Sequence, residues 1–446
     1  MRDGSRWGRF PHTARCRVNP RDIRPDNSHR SHNRCGTIQQ RRLHKAFFRL
    51  PLWRACLSLP PPAFWFYGCA VGRDSKKPAA PKVSGYTADP LTQTAAADTA
   101  GGQAQTFETG KDIVADWWTL FHSKPLNDLI ARVLANNHDL KAAQAALAAA
   151  KENVLAQRGV FFPAVGAGFS AVRQKQPETL APVPNYPLVP HEYQYNLFTP
   201  QVSISYMPGV FGLNRRTLES VEAQKQAVRY QMAATYNTLI ANAVVTAIQE
   251  ASIAAQIDAT RKLIAAQTGA LKILQYQYDK GYASGPDLAA QKAQRAQALA
   301  ALPPLLKQQA QLRDMMAVLV GHFPAQATVD TFALSSFSLP RQIPVSLPSH
   351  LVAQRPDVLQ AQANLHAASA QIGIAIANRL PNITLSANDG SSAFSMDRLF
   401  SAGTGFWNLG ADIMAPIFQG GTLLYQERAA RAVYRQAAEQ YRGTVL

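Results

Sequence analysis

Residues 163–171 read Pro-Ala-Val-Gly-Ala-Gly-Phe-Ser-Ala, and this stretch decides the fold class because it changes a helical pattern into an alternating one. Before it, apolar residues recur at helical spacing over residues 126–158 and become Ala-rich, which predicts one helix that Pro163 terminates. After it, apolar side chains alternate with Gly and Ser. A period of two predicts a strand with one apolar face and one small or polar face.

Three further stretches show the same alternation. Residues 201–206 follow a Pro-rich loop at 177–190, and residues 383–388 and 407–413 lie much later in the chain. In each of them, apolar or aromatic residues alternate with Ser, Thr, Asn, Gln, Gly or Asp. Together with the first stretch, they predict four strands that each have one apolar face.

The segment between the second and third strands predicts two very long helices. Residues 213–280 contain one glycine and no proline, so a single helix would reach about 100 Å at 1.5 Å per residue. The sequence Gly281-Tyr-Ala-Ser-Gly-Pro286 predicts a reversing turn, followed by a helix over residues 287–320 that is kinked at Pro303 and Pro304. The many Gln, Lys, Glu and Arg residues exclude a membrane span and favour a coiled coil or a repeat.

The order helix, strand, strand, long helix occurs twice, which predicts a duplicated domain. The first copy is expected over residues 116–325, a linker over 326–345 and the second copy over 346–446. Because the second copy ends inside its long helix, we expect its C-terminal part to lie beyond Leu446. An offset of 218 relates Asp139 to Asp357, Ala145 to Ala363, Leu147 to Leu365 and Pro163 to Pro381.

The first 69 residues differ in composition from the rest of the chain. They contain 14 Lys or Arg, 3 Asp or Glu and all four cysteines. Most of the net charge of +18 therefore belongs to this leader, which argues against a nucleic-acid-binding face on the folded part. The later chain has no cysteine, no residues at metal-ligand spacing and none of the common catalytic motifs. We expect neither enzyme activity nor a metal or cofactor.

Residues 45–69 follow the order of a bacterial signal sequence. Lys45, Arg49 and Arg54 precede an apolar, aromatic stretch that ends in Gly68-Cys69. This ending resembles a lipoprotein cleavage site, where the cysteine thiol is acylated and becomes the first residue of the mature protein. Cys69 is therefore the candidate lipidation site, with an uncleaved leader as the alternative. Residues 1–44 are too long for an ordinary signal, and a misplaced start codon would explain them.

Residues 69–115 are expected to form an extended N-terminal segment, because they are rich in Ala, Thr, Pro and Lys and show little periodicity.

The four predicted strands cannot close a water-filled barrel alone, and open sheet edges are not tolerated in lipid. A homotrimer would supply twelve strands, enough to leave a channel. A coiled-coil protein with ordinary half-buried strands fits the residue pattern as well.

Several motifs in a specific order resemble the TolC-like outer-membrane efflux factors, and in particular the lipoprotein branch that serves resistance–nodulation–division pumps. The resemblance covers residues 69–446. The motifs that carry it are Cys69-Ala-Val-Gly, Asp116-Trp-Trp-Thr-Leu-Phe121, Leu126-Asn-Asp-Leu-Ile130, Ala301-Leu-Pro-Pro-Leu-Leu306, Leu347-Pro-Ser-His-Leu-Val-Ala-Gln-Arg-Pro-Asp357 and Pro416-Ile-Phe-Gln-Gly-Gly421.

This resemblance implies a mainly α-helical protein with membrane β structure: long periplasmic helical hairpins, plus four strands per chain in a trimeric 12-stranded barrel. It implies a lipid-anchored, passive exit duct in the bacterial outer membrane for drugs or other small toxic compounds. The implied partners are two further copies, a periplasmic adaptor, an energy-supplying inner-membrane pump of the resistance–nodulation–division type and outer-membrane lipid, with no nucleic acid. The alternative is a non-transporting structural coiled-coil protein or an inactive truncated copy.

In this family the turns between long helices form the inner tip, where the adaptor docks and the channel is constricted. Tyr276, Tyr278 and Asp279 are implied candidates for the constriction, and Asp279 could pair with a cation or repel an anion. From the residues alone, the glycines could simply end helices while the tyrosines pack a coiled coil. The implied docking residues are Gly281, Tyr282, Ala283, Ser284, Gly285 and Asp287.

Overall fold

Long helices and strands follow one another in a repeated order along the chain. A computed structural model describes residues 70–72, 74, 76, 78–79, 87, 89–98, 101–176, 193–326 and 331–446. The helices are α1 (Lys124–Asn136), α2 (His138–Gly159), α3 (Leu213–Asp279), α4 (Gly285–Val320), α5 (Pro348–Gln354), α6 (Pro356–Ala377) and α7 (Thr422–Val445). The strands are β1 (Thr106–Thr109), β2 (Ala164–Gln176), β3 (Tyr193–Tyr206), β4 (Gln342–Val345), β5 (Asn382–Ser391) and β6 (Gly405–Met414). The leader, Cys69 and the Pro-rich loop at 177–190 lie outside the described residues.

Strands β2, β3, β5 and β6 form one antiparallel sheet in that order. Val165 pairs with Ile204, Ile204 with Ala387, and Ala387 with Leu409, so these four residues share one face. Asp389 interrupts the apolar character of that face. Over the four predicted stretches, the opposite face carries Gly, Ser, Thr, Asn, Gln or Asp residues, and the alternation predicted there is confirmed.

No other part of the chain that the structure describes covers the apolar face of this sheet. Phe169, Trp407, Leu409 and Ile413 are all exposed on it. The two outer strands, β2 and β6, have no strand neighbour on their outer edges within the described residues. The sheet therefore presents both an unburied apolar face and two open backbone edges.

Helix α3 is the structural axis of the helical part. Its 67 residues span about 100 Å. The predicted helix over residues 213–280 is confirmed, and it packs against α2, α4 and α6. Helix α6 lies between α3 and α7, whereas among the described helices its counterpart α2 packs extensively only on α3.

Helix α4 runs back along α3 and starts two residues earlier than expected. The Ser284 hydroxyl accepts from the backbone N–H of Asp287, which caps the helix at Gly285. Pro303 and Pro304 lie inside α4 and do not end it. Where α1 meets α3 and α4, a hydrophobic core forms from Leu126, Ile130, Val133, Ile240, Val244, Met316 and Phe332.

The single helix predicted over residues 126–158 is wrong, because the structure breaks it into α1 and α2 at Asn137. This residue is extended, with ψ of 131°. Its side-chain oxygen accepts from the N–H of Leu140 at 3.0 Å, and its amide nitrogen donates to the carbonyl of Leu319 at 3.0 Å. Asn137 thus acts as the N-cap of α2 while it ties the break to the end of α4.

The N-terminal segment is also more structured than the sequence predicts. Strand β1 pairs in parallel with β4, with Thr106 opposite Gln342 and Thr109 opposite Val345. Gln105 donates to the carbonyl of Pro340 at 2.7 Å and extends this pairing. Composition alone did not reveal the pairing because the partner strand lies more than 200 residues away in sequence.

One 18-residue window of α3 is apolar and long enough to qualify as a membrane span by composition. Half of that window is buried inside the protein. Ile240 and Val244 from α3 belong to the core shared with α1 and α4. Helix packing therefore accounts for the apolar character of this segment.

A fully buried carboxylate connects α3 to α4 and to the segment that follows it. Glu250 accepts from Gln309 at 3.1 Å, from Arg313 at 3.1 Å and from the backbone N–H of Phe332 at 3.0 Å. These partners satisfy the buried charge, which would otherwise be costly.

We expect Glu250→Ala to lower the free energy of unfolding by about 2–3 kcal/mol, because it leaves Arg313 and the Phe332 N–H without their acceptor. Denaturant unfolding of the purified protein measures this change. Glu222→Ala is the control, since Glu222 makes an exposed pair with Arg158 and its loss should cost less than about 1 kcal/mol. Equal losses in the two variants would contradict this account of Glu250.

Candidate functional site

The turn between α3 and α4 is closed by backbone hydrogen bonds. The N–H of Gly281 donates to the carbonyl of Tyr278 at 2.9 Å, and the N–H of Tyr282 donates to that of Gln277 at 2.8 Å. Gly281 has φ of +80°, a conformation that glycine adopts without strain. The predicted reversing turn is therefore present, and it brings all nine predicted tip residues to one end of the hairpin.

The aromatic residues of this tip are exposed rather than packed within the hairpin. Tyr276 is 65% exposed and Tyr282 is 85% exposed, and Tyr278 is also exposed. The ammonium of Lys280 lies 5.8 Å from the ring centre of Tyr276, within the range of a cation–π contact. In the single chain, the tyrosines are therefore available for contacts with other molecules or with other copies.

Asp279 ends α3 beside this aromatic cluster. Its carboxylate accepts from the Gln275 side chain at 2.9 Å. On the other side of the turn, Ser284 and Asp287 hydrogen bond to each other as the cap of α4. The tip thus carries two acidic side chains, of which Asp287 serves the helix cap.

Behind the tip, polar contacts hold the two helices of the hairpin together. Gln291 donates to the side chain of Gln267 at 2.6 Å, and Arg295 donates to the hydroxyl of Thr268 at 3.1 Å. These contacts resemble a polar coiled-coil layer more than a hydrophobic core. They fix the hairpin direction and leave the tip residues outside it.

At the opposite end, where the strands meet the helices, a second set of charged groups is partly buried. Glu427 of α7 pairs with Arg379, which follows α6, and accepts from Arg431 at 2.6 Å. The Arg379 guanidinium lowers the pKa of the Glu427 carboxyl below its ordinary value, against the opposing effect of burial, and Arg431 lowers it further. The second half of the duplication thus has an ionised glutamate at the base of its long helix.

Sequence reasoning identified the tip but missed three buried charged residues. Arg216, Glu250 and Glu427 each bind partners that lie far away in sequence or on another helix. Each sits in a helical segment that also carries other charged residues, so the local pattern does not distinguish it. Cys69, the predicted lipidation site, lies outside the described residues.

Comparison with known proteins points to one family. The sequence pattern of the family described as "Outer membrane efflux protein" matches residues 129–322 and 347–446. The probable efflux pump outer membrane protein TtgC of Pseudomonas putida is 28% identical over 371 residues, which cover 83% of this chain and 73% of TtgC. The outer membrane protein OprJ of Pseudomonas aeruginosa is 26% identical over 377 residues, covering 84% and 75%.

Solved structures agree with this assignment of the fold. The outer-membrane channel OprN matches with a TM-score of 0.72 and 24% identity, over 84% of this chain and 80% of that one. The outer membrane protein VceC of Vibrio cholerae matches with a TM-score of 0.65 and 25% identity, over 75% and 78%. The expected resemblance to TolC-like channels is confirmed at the level of family and fold.

We expect Glu427→Gln to lower the thermal midpoint at pH 7, by an amount that corresponds to about 1–2 kcal/mol, because two arginines lose an anionic partner. A carboxyl with a lowered pKa stabilises the fold above its unfolded-state pKa, and this contribution is lost as the pH falls through the folded-state value. The difference between wild type and variant should therefore shrink below about pH 4, which thermal scans across pH would measure.

The control for this prediction is Glu439→Gln on the same helix. Glu439 makes an exposed pair with Arg442, so its replacement should change the midpoint little at any pH. A Glu427→Gln effect that is independent of pH would contradict an electrostatic role for this carboxylate.

Proposed function

This chain belongs to the outer membrane efflux protein family, and from that premise we propose that it is the passive exit duct of a tripartite efflux system. Members of this family are outer-membrane channel components rather than enzymes. In the proposed system, an inner-membrane pump of the resistance–nodulation–division type supplies the energy and a periplasmic adaptor connects it to the duct. The proposed cargo is drugs or other small toxic compounds.

The observation that carries this proposal is the uncovered four-stranded sheet. Among the residues that the structure describes, nothing covers its apolar face and no strand pairs with its two outer edges. In water such a surface would favour aggregation, and in lipid the unpaired backbone groups of an open edge would each cost several kcal/mol. Lipid against the apolar face, combined with closure of the edges, removes both problems.

A homotrimer provides that closure. The strands alternate in direction along β2, β3, β5 and β6, so β6 of one copy can pair antiparallel with β2 of the next. Three copies would supply twelve strands, and a barrel of that size leaves an interior channel. The small and polar residues of the opposite face would then line the interior.

The helices support the same arrangement. Helix α6 lies between α3 and α7, but no second described helix packs extensively on its counterpart α2. On α2, Ala145 and Ala149 are exposed, whereas the residues at the corresponding positions of α6, Ala363 and Ala367, are buried. Helices α3 and α7 are the long helices of the two halves, and α6 packs on both of them. The duplication therefore predicts that α2, which packs on α3 of its own copy, also packs on α7 of a neighbouring copy, and that this α7 covers the alanines of α2.

The two remaining parts of the proposal concern the ends of the duct. We infer that Cys69 carries a lipid anchor at the outer membrane, and that the hairpin tip docks the adaptor in the periplasm through Gly281, Tyr282, Ala283, Ser284, Gly285 and Asp287. The exposure of the tip tyrosines supports a docking role. Tyr276, Tyr278 and Asp279 are the proposed constriction residues. The alternative of a non-transporting coiled-coil protein is not favoured by the relatives and structures that the chain matches.

The experiment that tests the function is fractionation of the expressed chain, followed by gel analysis with and without boiling. The expected result is an outer-membrane band that migrates as a trimer until it is boiled, together with restored drug tolerance in a host that has a pump and adaptor but lacks its own duct. A monomer in the soluble fraction, or a membrane trimer without any gain in tolerance, would refute the proposal.

We expect Ala149→Trp to abolish the unboiled trimer band and the drug tolerance, because an indole at this position of α2 would hold the neighbouring helix away. Gel analysis and growth in drug measure the two effects. Ala353→Trp is the matched control, since Ala353 is exposed on α5, outside the proposed interface. An Ala149→Trp trimer as heat-stable as wild type would contradict the proposed contact.

We expect Asp279→Asn to reduce the preference of the channel for cations, because it removes a carboxylate from the proposed constriction in each copy. The reversal potential of channels in planar bilayers under a salt gradient reports this preference. Asp258→Asn is the control, since Asp258 is exposed on the same helix and pairs with Lys262 at 2.7 Å. Identical reversal potentials in the two variants would remove Asp279 from the constriction.

A further inference from the structure

The first described residues of the chain lie against the base of α3. The N–H of Val71 donates to the carbonyl of Phe211 at 3.2 Å. Gly212 has φ of +87°, and a Cβ atom there would lie 2.7 Å from the Cα of Ala70. The backbone at Ala70 can therefore approach this turn only because position 212 carries no side chain.

Arg216, in the first turn of α3, holds the next residues. It is only 5% exposed, and its guanidinium makes four hydrogen bonds. It donates to the carbonyls of Val71 at 3.0 Å and Gly72 at 3.2 Å, to the Asp74 carboxylate at 2.9 Å and to the Glu219 carboxylate at 2.7 Å. Three of the four acceptors therefore belong to the N-terminal segment.

The second half of the duplication supplies the other wall of this site. A Cβ atom on Gly373 of α6 would lie 2.9 Å from the Cγ of Arg216 and 3.1 Å from the carbonyl oxygen of Val71. Gly72, at φ of +103°, approaches just as closely, since a Cβ on it would lie 2.7 Å from the Cα of Gly373. Residues 70–72 are thus held between α3 and α6.

The site lies at the end of the helices that is nearest the strands. Helix α3 begins seven residues after β3 ends at Tyr206, and Gly373 lies nine residues before β5 begins at Asn382. Under the proposed function, this end faces the outer membrane. A chain held here places Ala70 next to the membrane-facing end of the helical part.

We propose that Gly212, Arg216 and Gly373 form a built seat for residues 70–72 and Asp74, and that this N-terminal strap joins the two halves of the duplication at the base of the barrel. Without the strap, Arg216 would lose three of its four hydrogen-bond acceptors and keep Glu219. The strap therefore holds the N-terminal segment through contacts that involve no lipid. Its position at the membrane rests on the proposed function, but the seat itself does not.

Hydrogen exchange of the peptide that contains Val71 tests this proposal. The full chain is used with Cys69→Ser, so that no lipid is attached, and the N–H of Val71 should be protected. Arg216→Ala should speed its exchange about tenfold or more, the change expected when hydrogen bonds to a charged group are lost. Arg215→Ala, which removes the neighbouring exposed arginine, should leave the rate unchanged.

A pair of glycine variants tests the other wall. Gly269 is also inside a helix, but a Cβ there would meet nothing within 4 Å. Gly269→Ala should therefore be neutral or mildly stabilising, whereas Gly373→Ala should speed exchange at Val71 and lower the temperature at which the trimer dissociates. If a seat variant fails to fold, Asp74→Ala removes one bond from an exposed side chain and should still raise the exchange rate.

Equal exchange in the Arg216→Ala and Arg215→Ala variants, or fast exchange at Val71 in the parent chain, would overturn the strap. The readout is independent of transport. A protected strap in a chain that forms no trimer would uphold the seat and refute the proposed function. A trimeric, transporting chain in which Val71 is unprotected would uphold the proposed function and refute the seat.

Discussion

The structure depends on one constraint: a sheet edge has backbone groups that need hydrogen-bond partners. The sheet β2-β3-β5-β6 satisfies its inner strands and leaves β2 and β6 each with one open edge. A membrane offers no water to those edges, so only another strand can satisfy them. Because the four strands alternate in direction, β6 runs antiparallel to β2. Strand β6 of one copy can therefore pair with β2 of the next copy in the same antiparallel pattern. These two open edges are the reason why we propose a closed assembly of identical copies.

The duplication extends this constraint from the strands to the helices. Helix α6 has a neighbour on each side, whereas α2 has similar small residues on a side that no described helix covers. In the proposed ring of identical copies, the rotation that pairs β6 of one copy with β2 of the next would also give α2 a second helix neighbour. The strap at Gly212, Arg216 and Gly373 lies where these two layers join and where the halves of the chain meet. The sheet, the packed helices and the N-terminal segment therefore meet at the end of the helical part that is nearest the strands.

The features that could be predicted from sequence are those with a local period. The four alternating strands and the uninterrupted α3 follow from side-chain spacing, and the tip follows from glycines and proline at a fixed place. Three features could not be predicted in this way. The break at Asn137 depends on a contact with Leu319, β1 depends on β4, and the buried role of Glu250 depends on Arg313 and Phe332. In each case the deciding partner is distant in sequence, and nothing in the local pattern names it. The same holds for the candidate site. Its position at the tip could be predicted from the local sequence, but the orientation of its residues in an assembly could not.

The pairing of the N-terminal segment has a consequence for the order in which the protein folds. Residues near position 71 bind Arg216, and Thr106 pairs with Gln342, so this segment waits for partners that are synthesised much later. Contacts of such long sequence separation carry a large loop-closure cost and form late. The hairpin of α3 and α4 can close from its turn, where the contacts join residues that are near in sequence, and it does not need the N-terminal segment for that step. We therefore expect the N-terminal segment, although it is synthesised before the long helices and the sheet, to find its place after the hairpin has formed.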